Sequence, residues 1–352
     1  MVEVVMGEDR MRVLIAGLGG ASLGTEALKS LLLAGRYEIY GCDISPYAFG
    51  HFQHGFEETF VVRRERYVAS VLEMCVANGI EAIVPGGEGP LALLGQAAGR
   101  LAEAGIALAS NAPDVIETCT DKACFFEALR ALELPMPHTI AVETGEALGA
   151  LRDSEIPAPA VVKPATGSGG SRSVFLAADA AEARMYAGCI VGAGRTALIQ
   201  EYLPESEGEF TVGVLHLPDG RLAGSVALRR LFHAKLSVLM ESEVGILSSG
   251  YSQGLIDRFP DVCRQAERIA EALGSRGPIN VQARLCEGTL VPFEVNPRFS
   301  ASTYLRALAG FNELDLYLGH VLRGEPVRPA ELRPGYYLRS LTELGVPKEA
   351  IK

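Results

Sequence analysis

The chain has 352 residues, 48% of them hydrophobic and 21% charged, which is enough to bury a core in two or three compact units at roughly 100–200 residues per domain. A formal net charge of −11 disfavours nucleic acid and anionic membranes as partners, because the average surface repels both. No apolar run reaches the ~20 residues that span a bilayer, and Met1–Arg12 carries Glu3, Glu8 and Asp9 where a signal segment would be basic, so a cytoplasmic protein is expected.

Seven cysteines are scattered without a C-x-x-C pair, so neither a disulfide framework nor a zinc site is suggested, and most are expected to be small buried hydrophobes. His51 and His54 have the spacing of two metal ligands on a helix face, but no further ligand cluster accompanies them and a polar loop is the simpler reading.

In chain order, Met11–Ala16 reads as a strand, Ser22–Ala34 as a helix, Glu38–Cys42 and Thr59–Val62 as strands, and Glu65–Asn78 as a helix. Ala82–Val84, helical Gly89–Ala104 and Ile106–Ala109 follow. This alternation predicts an α/β domain over residues 1–112, a doubly wound parallel sheet covered by helices. Gly17-Leu18-Gly19-Gly20 sits where a dinucleotide fingerprint would, with Asp43 ending the second strand, but the third glycine position is Ser22. An NAD-dependent oxidoreductase is therefore a minor alternative to a plain glycine turn.

Helices are expected at Pro113–Thr118 and Lys122–Leu132, ended by Leu134-Pro135-Met136-Pro137. Strands Ala160–Lys163, Ser173–Leu176 and Ala197–Glu201 with helix Ala178–Val191 make a small α+β lobe. Glu209–Leu217 and Arg221–Leu231 read as long antiparallel strands, followed by helix Asp257–Leu273, a hairpin of Ile279–Cys286 with Leu290–Val295, and helices near Thr303–Leu308 and Leu314–Leu322.

The hairpin carries the most specific signal. Period-2 geometry puts Glu294 and Asn296 on one face, and the partner strand can bring Gln282 alongside, so three oxygen ligands of the kind Mg²⁺ takes converge. The bland reading is a polar hairpin face ending in a proline turn. Lys163 ends an apolar strand, where a charge needs an anion to meet it, and Thr166-Gly167-Ser168-Gly169-Gly170 beyond it can turn backbone N–H groups over phosphates. Gln200-Glu201-Tyr202-Leu203 before a proline, resuming at Glu209, resembles a hinge that reads adenine while Glu209 accepts from ribose hydroxyls; a simple β connection is the alternative. Lys122 opens a helix, normally an exposed position. Arg229, Arg230 and Lys235 are candidates to hold an acceptor carboxylate, against a solvated basic face.

In this order the stretches resemble the ATP-grasp superfamily, and more closely one synthetase half of the carbamoyl phosphate synthase large chain and related carboxylate–amine ligases. The resemblance covers nearly the whole chain. It implies a pre-ATP-grasp domain over 1–112, a two-lobed α+β ATP-grasp module with its small lobe over 113–199 and its metal-bearing large lobe over 200–328, and an extension over 329–352. It implies that Lys122 and Lys163 contact ATP phosphates, Gln200, Glu201 and Leu203 the adenine, and Glu209 the ribose. Gln282, Glu294 and Asn296 would hold Mg²⁺, with Mn²⁺ an alternative, and Arg298 would lie near the transferred phosphoryl group. Many relatives place an acid where Gln282 stands, which points to one metal site being weaker here. A single unit, without an amidotransferase or biotin-carrier region, argues against carbamoyl phosphate synthesis by this chain alone. The implied reaction is ADP-forming carbon–nitrogen ligation through an acyl phosphate, with a small carboxylate and an amine as substrates. An ATP-grasp kinase and a nucleotide sensor are alternatives, and a homodimer is left open.

Overall fold

The computed structural model describes residues 10–20, 23–167, 173–329 and 331–351. It begins with β1 (Met11–Ala16), α1 (Leu23–Ala34), β2 (Tyr37–Asp43), β3 (Glu58–Val61), α2 (Tyr67–Asn78), β4 (Ala82–Pro85), α3 (Glu88–Gln96), α4 (Ala98–Glu103) and β5 (Ala107–Leu108). The five strands form one parallel sheet in the order β3-β2-β1-β4-β5, the doubly wound arrangement that the sequence predicts. The helix expected over Gly89–Ala104 is interrupted at Ala97, which lies between α3 and α4.

Chain order reverses between β1 and β4, so the turns leaving these strands flank the crevice where doubly wound sheets bind ligands. The turn after β1 is a structural joint. Asp43 is committed to it, its carboxylate accepting from the backbone N of Leu18 at 2.7 Å and of Ser45 at 2.9 Å. Close helix approach, which a third fingerprint glycine would allow, is supplied instead by Gly24: a Cβ there would stand 2.1 Å from Gly17 O.

The middle of the chain contributes α5 (Pro113–Thr120), α6 (Lys122–Ala131), β6 (Thr139–Val142), α7 (Gly145–Ala150), β7 (Ala160–Pro164), β8 (Phe175–Ala177), α8 (Ala180–Gly192) and β9 (Ala197–Glu201). Strands β6-β9-β7-β8 make an antiparallel sheet. Alternation sends Val162, Ala197 and Ile199 onto the apolar face of α8, where they pack with Ala183, Ala187 and Ile190. Lys163 and Gln200 consequently point the other way.

The remainder supplies β10 (Glu209–His216), β11 (Leu222–Arg230), β12 (Val238–Ser242), β13 (Gly245–Ser248), β14 (Gly254–Ile256), α9 (Pro260–Ala272), β15 (Pro278–Cys286), β16 (Thr289–Asn296), α10 (Thr303–Leu308), α11 (Glu313–Arg323) and β17 (Gly335–Tyr337). A six-stranded sheet runs β16-β15-β10-β11-β14-β17. Val212, Val214, Val281 and Val295 on one face pack on Val262, Ala266 and Ile269 of α9. On the other face, Leu228 and Ile256 join Phe299, Leu305 and Phe311 in a core shared with Leu28 and Leu31 of α1, which fixes the parallel sheet against the larger one. The segment expected only as an extension thus adds an edge strand, β17, to this sheet.

Two smaller expectations change. Only Cys42, Cys75 and Cys119 are buried, whereas Cys124 and Cys189 are exposed. His51 lies in a short 3-10 turn, Phe49–Phe52, that ends before His54, so the two do not share a helix face. Among the described residues no helix is long and apolar enough to cross a membrane.

Candidate functional site

A cleft of about 500 Å³ lies between the four-stranded and six-stranded antiparallel sheets, lined by Lys163 and Gln200 on one side and by Thr211, Gln282 and Glu294 on the other. Leu23 of α1 and Gly86, Gly87 and Glu88 from the turn after β4 close one end.

Its floor is the β15–β16 hairpin. Gln282 pairs directly with Glu294 and Asn280 with Asn296, so four polar side chains occupy two successive rungs of one face, about 7 Å apart. The expected convergence of Gln282, Glu294 and Asn296 is present. Between Gln282 and Ala283 the register slips, leaving Phe293 without an opposite residue. The carbonyl of Phe293 accepts from Lys163 Nζ at 3.1 Å.

Lys163 is buried, donates also to Gln200 Oε1 at 3.0 Å, and lies 5.5 Å from the centre of the Phe126 ring. Burial, with the charge of Lys122 adding to it, pushes the Lys163 pKa down to about 7, and Glu294 opposes the shift. Burial alone would raise the Glu294 carboxyl, but Lys122, Lys163 and Arg298 outweigh it and hold the group below the usual carboxylate range. Burial also lowers the Arg298 pKa, opposed by Glu88 and Glu294. Arg298 donates to Phe299 O at 2.9 Å and to Asn296 Oδ1 at 3.1 Å, and stands 3.9 Å from Glu88. Asn296 Nδ2 in turn donates to Glu294 Oε1 at 3.3 Å.

Lys122 reaches the cleft because Asp121 caps α6 and the Lys122 backbone N donates to Ala165 O at 3.0 Å, tying the helix start to the end of the Lys163 strand. Its side chain makes no ion pair among the described residues. Thr166 and Gly167 line a smaller adjoining pocket with Lys122, Glu294, Asn296 and Arg298, and Gly167 has a φ of 72° and, among the described residues, nothing within 4 Å of where a Cβ would stand. Ser168, Gly169 and Gly170 lie outside the described residues.

Gln200, Glu201, Tyr202 and Leu203 line the opposite end of the cleft, as the hinge reading expects. Their side chains are partly engaged. Gln200, which holds Lys163, also donates to Thr139 Oγ1 at 2.9 Å, so its amide serves the lysine rather than standing free for a base. Glu201 accepts from His138 N at 3.2 Å, and the Tyr202 hydroxyl accepts from Ile246 N at 2.8 Å while donating to Glu205. Glu209, only 1% exposed, is clamped between Arg284 Nε at 3.0 Å and Arg230 Nη1 at 3.4 Å.

That clamp corrects the reading of the basic trio. Arg230 is buried and spends its guanidinium on Glu209, Ser249 O and Tyr251 O. Arg229, its neighbour on the strand, points to the other face and is exposed, as is Lys235. None of the three lines the cleft. The sequence reading assigned no role to Glu88, although Gly86-Gly87 after a strand marked its turn, nor to Phe293, whose bulge has no sequence signal beyond Pro292.

Residues 194–344 match a family model described as ATP-grasp in the biosynthetic pathway with Ter operon. The carbamoyl phosphate synthase large chain of Vibrio vulnificus is 26% identical over 272 residues, covering 74% of this chain and 24% of that one. Across the first curated relatives matched, the chain spans 20% to 42% of their length. Among solved structures, N5-carboxyaminoimidazole ribonucleotide synthetase in an ADP complex superposes with a TM-score of 0.68 at 16% identity, covering 92% of this chain and 80% of that one. The L-amino acid ligase of Bacillus licheniformis gives 0.67 at 15% identity, covering 90% and 76%. Residues 194–344 thus carry an ATP-grasp match, and the chain has the fold of the ATP-grasp structures it superposes on. The part of the carbamoyl phosphate synthase large chain to which this chain is similar is 24% of the length of one relative and 20% of another.

Proposed function

We propose that the chain is an ATP-dependent ligase that converts a substrate carboxylate to an acyl phosphate and joins it to an amine, forming an amide or peptide bond and releasing ADP and phosphate. The observation that carries this reading is the facing pair Gln282 and Glu294, with Glu294 held ionised among Lys122, Lys163 and Arg298 in one cleft. The names of the superfamily relatives, an L-amino acid ligase among them, point the same way.

Gln282, Glu294 and Asn296 would hold magnesium or manganese. The donor set fits: one carboxylate carries the charge and two amide oxygens add neutral ligands, Asn296 Oδ1 keeping one lone pair beyond the Arg298 contact. Such an ion, when bound, supplies charge neutralisation to triphosphate oxygens.

The chain's own groups do the rest. Lys122 and Lys163 meet phosphate oxygens, Thr166 to Gly170 offer backbone N–H groups, and Arg298 faces the transferred phosphoryl group, where charge develops as the carboxylate oxygen attacks. The Gln200 to Leu203 segment lies along the adenine, with the Leu203 backbone N as a donor. Glu209 fixes Arg284 and Arg230 at that end and offers the ribose whatever acceptor capacity remains. In this reading residues 113–199 form the small lobe, 200–328 the large lobe, and 1–112 the domain that presents Glu88 to the acceptor.

An ADP-release screen with Mg-ATP and pooled amino acids and small carboxylates tests the reading. Acid-dependent ADP release supports it. Hydride transfer to or from NAD without ADP formation would replace it.

A further inference from the structure

On the same face of the sheet as the cleft floor, at its Asn280 end, lies a buried ion pair that the chemistry above leaves unused. Arg306 of α10 is 0% exposed and Glu313, opening α11, is 2% exposed. Arg306 Nη1 donates to Glu313 Oε1 at 3.0 Å, and Nη2 donates to Asn280 Oδ1 at 2.6 Å. Thr211 Oγ1 donates to the same Asn280 oxygen at 2.9 Å, and Thr303 Oγ1 to Glu313 Oε1 at 2.5 Å. Gly213, directly opposite Asn280 on the ladder, makes the room: a Cβ there would lie 2.4 Å from Arg306 Nη1 and 2.6 Å from Glu313 Oε2.

A guanidinium only donates, so the atom it meets on Asn280 must be the amide oxygen. The amide is therefore turned one way. Its Oδ1 faces inward to Arg306 and Thr211, and Nδ2, with no partner among the described residues, is the polar atom left for the cleft that Asn280 lines. A buried arginine–carboxylate pair is seldom a gain over apolar packing, which makes an orienting task the better account of it.

We propose that Arg306 is a positioning residue: by fixing the Asn280 amide it presents a hydrogen-bond donor to an oxygen of the nucleotide's terminal phosphoryl group. The inference rests on the ATP reading above. Asn280 stands one rung beyond Gln282 and Glu294, on the side away from Arg284 and Leu203, where the far end of a triphosphate lies if its base is at Leu203. Asn280 is accordingly a donor to an anion, not a metal ligand, although it shares its face with the three residues assigned to the metal.

Calorimetric titration with two probes, Mg-AMP-PNP and Mg-ADP, tests this. Asn280→Ala should weaken Mg-AMP-PNP by about tenfold or more, as expected for a hydrogen bond to a charged group, and Mg-ADP by less than about twofold. Asn280→Asp keeps a partner for Arg306 and the melting temperature, yet replaces the donor by an oxygen and should weaken Mg-AMP-PNP at least as much. Arg306→Met with Glu313→Gln removes the pair without stranding a charge; it should weaken Mg-AMP-PNP in the Asn280 chain and add nothing in the Asn280→Ala chain. Additive losses, equal loss for Mg-ADP, or tighter binding by Asn280→Asp would overturn the inference and leave the ATP reading standing. A wild-type chain that binds neither nucleotide would overturn both.

Discussion

Gln282 and Glu294 stand directly opposite each other on the antiparallel ladder of β15 and β16, one neutral oxygen donor and one carboxylate on the same rung. Because a metal site's affinity follows the number of charged ligands, Gln282→Glu is expected to tighten Mn²⁺ binding by roughly tenfold, and Glu294→Gln to lower ATP turnover by at least about a hundredfold. Paramagnetic titration of Mn²⁺ with ADP release reads both. Wild-type behaviour in either variant would remove this rung from the metal site.

Lys163 gives a pH signature. Its pKa in the free protein is pushed down to about 7 by burial and by Lys122, so above that pH the Lys163 amine is mostly neutral. A polyphosphate beside it favours the charged form, so binding near pH 8 should take up a proton and nucleotide affinity should fall as pH rises through 7 and beyond. Calorimetry in two buffers of different ionisation heat measures that proton, and Lys163→Met should abolish it. The folded pKa lies below the unfolded lysine value of ~10.4, so the unfolded chain holds the extra proton between the two. Stability from this residue therefore rises with pH across that window, and Lys163→Met should flatten the slope. Proton uptake unchanged in Lys163→Met would refute the assignment.

Glu209 separates two roles. Its carboxylate, 1% exposed, neutralises Arg230 and Arg284, and removing one partner of a buried pair leaves uncompensated charge. Glu209→Gln should cost about 3–5 kcal/mol of stability by denaturant unfolding. Full stability with weakened nucleotide binding would return Glu209 to a purely ribose-facing role.

Gly213→Ala places a methyl group against Arg306 and Glu313, neither of which can withdraw from its partners. A loss of roughly 1–3 kcal/mol is expected, as for overpacked cores. A variant as stable as the parent would show that the network relaxes freely.

Much of this was legible in the sequence because the information is local. Period-2 alternation placed Glu294 and Asn296 on one face, and the hairpin that brings Gln282 opposite is joined by a short turn, Glu287-Gly288. The same alternation separates Arg229 from Arg230, so the two cannot both face one acceptor. The Glu209 clamp was illegible, since it depends on pairing β10 with both β11 and β15, strands brought together only by the fold. The short strands β6, β12, β13, β14 and β17 were missed as well; three to five residues without a sustained pattern do not stand out from loop.

Activation of a carboxylate as an acyl phosphate is read out by trapping with hydroxylamine. An acyl phosphate is a mixed anhydride that hydroxylamine converts to a hydroxamate, whereas a phosphorylated hydroxyl is a stable ester it leaves untouched. Lys122, Lys163 and Arg298 would stabilise either transfer, so the product decides. A hydroxamate is expected that requires ATP, Mg²⁺ and the acid together and appears in step with ADP. ADP release accompanied by a stable phosphoester and no hydroxamate would contradict it and make the protein an ATP-grasp kinase.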